Sequence, residues 1–266
     1  MFYIMNKHSD IRADRKKKLL ISNIMLGAAA VLLITGIVML SVDIIKRNIR
    51  KNKVEEGAQN IVRAIEQNRA QLAQEAGTRE LSEPQATMVV DVTGLEVNGE
   101  ENDFVDYEAQ AAQAALVEEE LDNTYTGQVT LIGLGLLEIP SIDLRVPMWE
   151  TTNSITLRYG VGHYVDSVMP GEAGNCTVMG HHMREYGSIF NRLEEVDIGD
   201  ELIITDLEGM TYTYIVDELE TVTAEEMLTM IEGDLTDTTQ LTLVTCVYRN
   251  TGKMRLLVIG HIAQED

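Results

Sequence analysis

The chain has 266 residues, with 43 Asp and Glu against 21 Lys and Arg, for a formal net charge of −22. That charge excludes the basic patches that supply most nucleic-acid affinity, and the length provides for one sizeable domain plus accessory segments. Two cysteines, Cys176 and Cys246, are too few for the disulfide framework of a small secreted protein.

Residues 1–18 form a basic tail with Lys7, Arg12, Arg15, Lys16, Lys17 and Lys18. From Leu19 to Val42 the run "LLISNIMLGAAAVLLITGIVMLSV" carries no charge, and it exceeds the ~20 apolar residues a helix needs to cross a bilayer core. No A-x-A-like cleavage site follows, so a retained transmembrane anchor is predicted over 19–45. Lys46, Arg47, Arg50, Lys51 and Lys53 nearly balance the positive-inside comparison. A cytoplasmic N-terminus and an extracytoplasmic domain are expected, because long domains translocate largely regardless of charge. That reading is a single-pass cell-membrane protein.

Residues 46–126 read as a helical stalk followed by an acidic linker. Asn52 with Glu55 resembles a capping box, and Val54, Ala58, Ile61, Ile65, Asn68 and Leu72 recur at alternating steps of four and three. Gly57 weakens the run, which predicts one amphipathic helix and not a dimerising coil. Acidic clusters and an alanine-rich patch over 78–128 read as partly helical linker.

The character changes near Gly127. "VTLIGLGLLEIP", "IDLRVPMWE", "GNCTVMGHH", "DELIITD", "MTYTYIVDEL", "QLTLVTC" and "MRLLVIGHI" are short strand-type runs separated by turn signals. They predict a mainly β fold over 127–266, a closed β-barrel with short helices. The helices are expected at Asn153–Arg158, at Ser188–Glu195 and after the box Thr223…Glu226. No nucleotide-binding glycine motif and no internal repeat is present.

Three side chains at strand ends can do chemistry together. Cys246 ends the alternating, β-branched run "LTLVTC"; by itself it reads as packing, since buried cysteine is common. His181 and His182 follow "NCTVM" through Gly180, and neighbours in an extended segment face opposite ways, so one of the two can face a given site. A zinc site is not expected, because no second cysteine or histidine stands at ligand spacing. His163 and His261 read as structural or solvent-facing. Arg255 returns to the end where Cys246 stands if the last two strands pair, with Arg249 in the intervening turn as a competitor. A thiol is mostly protonated at neutral pH and is activated by a neighbouring cation. An imidazole can move the proton, and a guanidinium supplies fixed donors to a developing oxyanion.

"TLVTC" at 242–246, "GHH" at 180–182 and "RLLVIG" from Arg255, with "LEIPSIDLRVPMWE", "LRYGVGHY" and "MPGEAGN" upstream, resemble the sortases, membrane-anchored cysteine transpeptidases of Gram-positive bacteria. The resemblance runs from about Gly133 to Ile262. It implies a sortase-type barrel in which Cys246 attacks the carbonyl of an LPxTG-like sorting motif after its threonine. His181 would be the acid and base, with His182 an additional neighbour, and Arg255 would hold the substrate backbone and the oxyanion. Partners would be surface proteins bearing the motif and an amine acceptor, with a lipid-linked cell-wall precursor preferred over a pilin lysine. The upstream motifs are most like class D, while "GHHM…GSIF" and the long preceding helix are like class B. The lid motif and second span usual in class C are not found, which disfavours pilus polymerisation. No cofactor is expected; calcium stimulation occurs in some sortases but maps onto no ligands here. Two rivals stand beside this reading: an anchored β-barrel binding module held by a Cys176–Cys246 disulfide, and a cysteine protease whose thioester is resolved by water.

Overall fold

The computed structural model describes residues 2–74, 86–93, 127–182, 188–232, 238–247 and 254–262. The chain divides into two compact units, Met1–Arg50 and Lys51–Asp266.

The first unit is helical, and helix α1 spans Phe2–Gln74 in all. The helix is long and apolar enough to cross a membrane, and its most apolar window, of mean hydropathy 2.4, has no buried part. The helix is unbroken at Asn52, so the predicted capping box there does not start a helix. Continuity is favoured because capping is needed only where backbone N–H groups lose their intrahelical partners.

In the second unit eight strands close into a barrel: β2 (Gln128–Ile139), β3 (Leu144–Trp149), β4 (Val161–His163), β5 (Gly174–Met179), β6 (Glu201–Asp206), β7 (Thr211–Thr223), β8 (Thr239–Cys246) and β9 (Met254–Ile262). Their order around the barrel is β2-β3-β4-β5-β8-β9-β7-β6, and β6 returns to pair with β2. β3–β4 and β5–β8 are parallel; the other pairs are antiparallel. Closure depends on a glycine. A Cβ on Gly135 would lie 2.4 Å from the Thr205 carbonyl oxygen across the β2–β6 seam, so no other residue permits that approach.

A ninth strand, β1 (Ala86–Asp91), adds to β2 in antiparallel register. It lies in the stretch read from sequence as linker, which is thereby corrected. The six-residue run "ATMVVD" alternates buried and exposed positions, as a half-buried strand should, but it is too short to stand out among acidic neighbours.

Residues 51–74 are likewise not a free stalk, since they belong to the same compact unit as the barrel. Ala58, Ile61 and Ile65 are buried with Met88, Val90, Leu131, Trp149 and Leu207. Asn68 donates from Nδ2 to the Leu207 carbonyl at 2.8 Å. The four-three spacing is therefore a docking face on the sheet. Gly57 serves the fit, because a Cβ there would come within 2.9 Å of the Trp149 ring.

The predicted short helices form. Helix α2 (Ser154–Arg158) is capped by Asn153, whose Oδ1 accepts from Ile155 N and Thr156 N. A 3-10 helix occupies Phe190–Glu195, two residues later than expected at its start. Helix α3 (Ala224–Ile231) opens on the reciprocal Thr223–Glu226 box: Glu226 N donates to Thr223 Oγ1, and Thr223 N donates to Glu226 Oε2. β4 was not anticipated; three residues give no periodicity to read.

Two layers of apolar packing sandwich β8 and β9. Leu241, Leu243 and Val258 point into the barrel with Cys176, Val178 and Tyr214. Val244, Leu257 and Ile259 point outward beneath α3 and α2, against Met227, Ile231, Leu157 and Tyr164. That outer layer positions the site.

Candidate active site

The strand register places the three predicted residues side by side. Cys246, the last residue of β8, pairs with Arg255 of β9, and Arg255 pairs with Val222 of β7. On the other flank Met179 of β5 pairs with Val244. The register continues past the strand end, because Gly180 N donates to the Val244 carbonyl at 3.0 Å. His181 therefore comes abreast of Cys246. Directly opposed residues share a face of the sheet, so His181, Cys246 and Arg255 form one row on the outer face, at the ends of their strands.

Side-chain alternation explains the local geometry. Thr245 points opposite to Cys246, and its Oγ1 donates to the Gly180 carbonyl at 2.8 Å. The residue before the thiol thus clamps the residue before the imidazole. Phe190 N donates to the His181 carbonyl at 3.2 Å, fixing the same step from the other side. Gly180 is required there, since a Cβ would stand 2.5 Å from the Phe190 ring. The sequence reading assigned Thr245 and Phe190 no role. The pleat alone could have put Thr245 behind Cys246, whereas Phe190 is brought in by the chain turning back to pair Ile189 with His182.

The row is nearly water-free: Cys246, His181 and Arg255 are 4%, 7% and 5% exposed. Charge interactions among such groups act through a low effective dielectric and are correspondingly strong. One guanidinium nitrogen, Nη1, donates to the Met254 carbonyl at 3.2 Å, which restrains the head of Arg255. His182 is half-buried, and desolvation holds its pKa below the ordinary imidazole value against the opposing pull of Glu194.

The second cysteine is different. Burial, with a smaller contribution from Glu172, pushes the Cys176 thiol up to about 12, so it is un-ionised at neutral pH. Cys176 points into the barrel and pairs with Leu241, five residues from Cys246 along β8. At ~3.3 Å per residue that separation is ~16 Å, far beyond disulfide reach. Both cysteines are free, which overturns the Cys176–Cys246 bridge of the binding-module alternative.

The other histidines lie apart. His163, buried in β4, uses Nε2 toward the Val168 carbonyl (2.9 Å) and Ser167 Oγ (3.1 Å) to brace the following loop. His261 pairs with Asp217 at 2.5 Å on the surface. Arg249 lies outside the described residues. Among the described residues no cluster of His, Cys, Asp and Glu has the arrangement of a metal site.

Residues 137–263 match the family model of the sortase domain. Sortase D of Bacillus subtilis (strain 168) is 38% identical over 101 residues, covering 36% of this chain and 47% of that protein. Sortase A of Listeria monocytogenes is 29% identical over 133 residues, covering 50% of this chain and 58% of the relative. A crystal structure of Listeria monocytogenes sortase A superposes with a TM-score of 0.45 at 30% identity, over 50% of this chain and 88% of that one. Residues 137–263 of the chain form a domain of the sortase family. The chain spans about half the length of the curated relatives it matches.

Proposed function

We propose that this protein is a cysteine transpeptidase that cleaves an LPxTG-like sorting motif and transfers the acyl part to an amine. The observation that carries the reading is the single outer-face row of His181, Cys246 and Arg255, set by the register of β8 and β9 and the Gly180–Val244 bond. The Cys246 thiolate attacks the carbonyl after the motif's threonine. The oxyanion takes hydrogen bonds from the Arg255 guanidinium, and His181 gives its proton to the departing amine as the peptide bond breaks. A second amine then attacks the thioester, His181 takes its proton, and the thiol is regenerated with a new amide.

The helix that is apolar enough to cross a membrane suits an anchored enzyme, with its N-terminus in the cytoplasm and its barrel outside. The substrates are surface proteins bearing the motif. The preferred acceptor is the amine of a lipid-linked cell-wall precursor, ahead of a pilin lysine. The thiol supplies the nucleophile itself, so no cofactor takes part in either step.

The partition between transfer and hydrolysis tests the reading against a plain protease. The full chain in detergent is incubated with a motif peptide, with and without a glycine-based or diaminopimelate-containing amine. The amine should divert most of the acyl fragment into a new amide. Release of the free acid alone, at any amine concentration, would make the protein a hydrolase and overturn the transferase assignment.

A further inference from the structure

Ile189 holds a backbone conformation that its own side chain disfavours. Among the described residues, glycines apart, only Ile189 and Asp143 have a positive φ, and aspartate tolerates that region whereas a β-branched residue does not. The φ of 45° and ψ of −127° at Ile189 lie near the ~+60° and ~−120° of the first central residue in a type II′ turn, a position that glycine dominates. The turn is closed, since Asn191 N donates to the Ser188 carbonyl at 3.0 Å. Glycine would make this turn without strain, so isoleucine occupies it against a local cost.

The barrel core offsets that cost. Ile189 and Phe190 are successive residues, and both are buried in the inner apolar cluster with Val178, Leu193 and Leu202. In an extended segment one of two neighbours would face away; the reversed φ at Ile189 lets both turn inward. The side chain is therefore a peg, and the backbone around it is a latch. Ile189 bridges to His182, and Phe190 N donates to the His181 carbonyl at 3.2 Å. The latch acts where the strand stops. β5 ends at Met179, and its register with β8 is extended by the bond from Gly180 N to the Val244 carbonyl. His181 is the next residue, and its carbonyl is held from the turn.

We propose that Ile189 is a positioning residue for His181: its buried side chain pins a strained turn to the barrel, and the turn holds the His181 backbone so that the imidazole stays abreast of Cys246. The proposal rests on the transpeptidase reading above. It separates stability from rate. Replacing Ile189 by glycine removes the peg and also removes the strain, two changes of opposite sign for folding. The histidine gains no such compensation. Proton transfer requires hydrogen-bond reach, and a displacement of about 1 Å in a reacting group can reduce the rate on the order of 10²-fold.

The test uses the full chain in detergent, a quenched fluorescent Leu-Pro-Ala-Thr-Gly peptide, and the variants Ile189→Gly, Ile189→Val and His181→Gln. Ile189→Gly should melt within about 3 °C of the parent. Its kcat should fall about 30- to 100-fold, with KM within about twofold because the peptide's own contacts are untouched. Ile189→Val keeps a branched side chain in the core and should retain at least about a third of the parent's kcat. Alkylation of Cys246 by iodoacetamide at neutral pH, located by mass spectrometry, needs no substrate. It should slow about tenfold in both His181→Gln and Ile189→Gly, since each takes the imidazole from the thiol. An undiminished kcat in Ile189→Gly would overturn the proposal, as would a loss that only follows the unfolded fraction or that Ile189→Val shares in full. A glycine variant that does not fold would make Ile189 a structural residue alone and overturn it too. So would alkylation that His181→Gln leaves unchanged. A parent that cleaves no peptide, but whose Cys246 is slowed by both variants, would overturn the substrate reading and leave the positioning role standing.

Discussion

Cys246→Ala is expected to abolish cleavage of a sorting-motif peptide, a loss of at least about 10⁴-fold, while the fold stays intact. Removing the nucleophile from a catalytic unit that acts in concert typically leaves only the contribution of binding and oxyanion stabilisation. The thiol ends a strand whose other residues carry the packing, with Leu241 and Leu243 inward and Val244 outward, so alanine removes one small side chain from a position at the strand end. Thermal unfolding should therefore stay within a few degrees of the parent. Arg255→Ala should cost less, about 10²–10³ in kcat, as for an oxyanion donor. Arg249→Ala supplies the control: if it reduces kcat and Arg255→Ala does not, the arginine assignment is wrong. Cys176→Ala should leave a thiol-reactive enzyme, because the remaining thiol is the one at the strand end.

The second large effect is on stability. A chain starting at residue 127 keeps all eight barrel strands, yet it loses Ile61, Ile65, Met88, Val90 and Val92, each buried against the barrel in the intact unit. Burying one such side chain contributes ~1.5–3 kcal/mol, and a domain has only about 5–15 kcal/mol in total. Even after the entropy of ordering the lost segment is returned, residues 127–266 should unfold at least about 10 °C below residues 51–266, or fail to unfold cooperatively. Trp149 would be uncovered, and its fluorescence should shift to the red. Ile61→Ala in the longer chain isolates the contact, with an expected loss of about 2–5 kcal/mol. Equal melting temperatures for the two chains would mean that the helix does not support the barrel.

These two results correspond to what could and could not be read from the amino-acid order. The barrel strands carry their own alternation, and the antiparallel pairing of the last two makes Cys246 and Arg255 neighbours. The Thr223 and Asn153 caps act locally and were visible for that reason. The side of the sheet on which the row lies was not legible, because β8 is buried on both faces and its periodicity cannot distinguish inside from outside. The spacing of Val54, Ala58, Ile61 and Ile65 suits a coiled-coil seam and a face docked on a sheet equally well. Only the presence of Trp149, Met88 and Leu207 opposite them decides between the two.

The most direct measurement is the mass of the chain during turnover. The full protein is mixed with a sorting-motif peptide in the absence of an amine acceptor, quenched in acid, digested and analysed by mass spectrometry. The account predicts an adduct equal to the peptide's acyl part on the fragment containing Cys246, released when an amine is added before the quench. An adduct on another residue, or cleavage proceeding undiminished in Cys246→Ala, would contradict it.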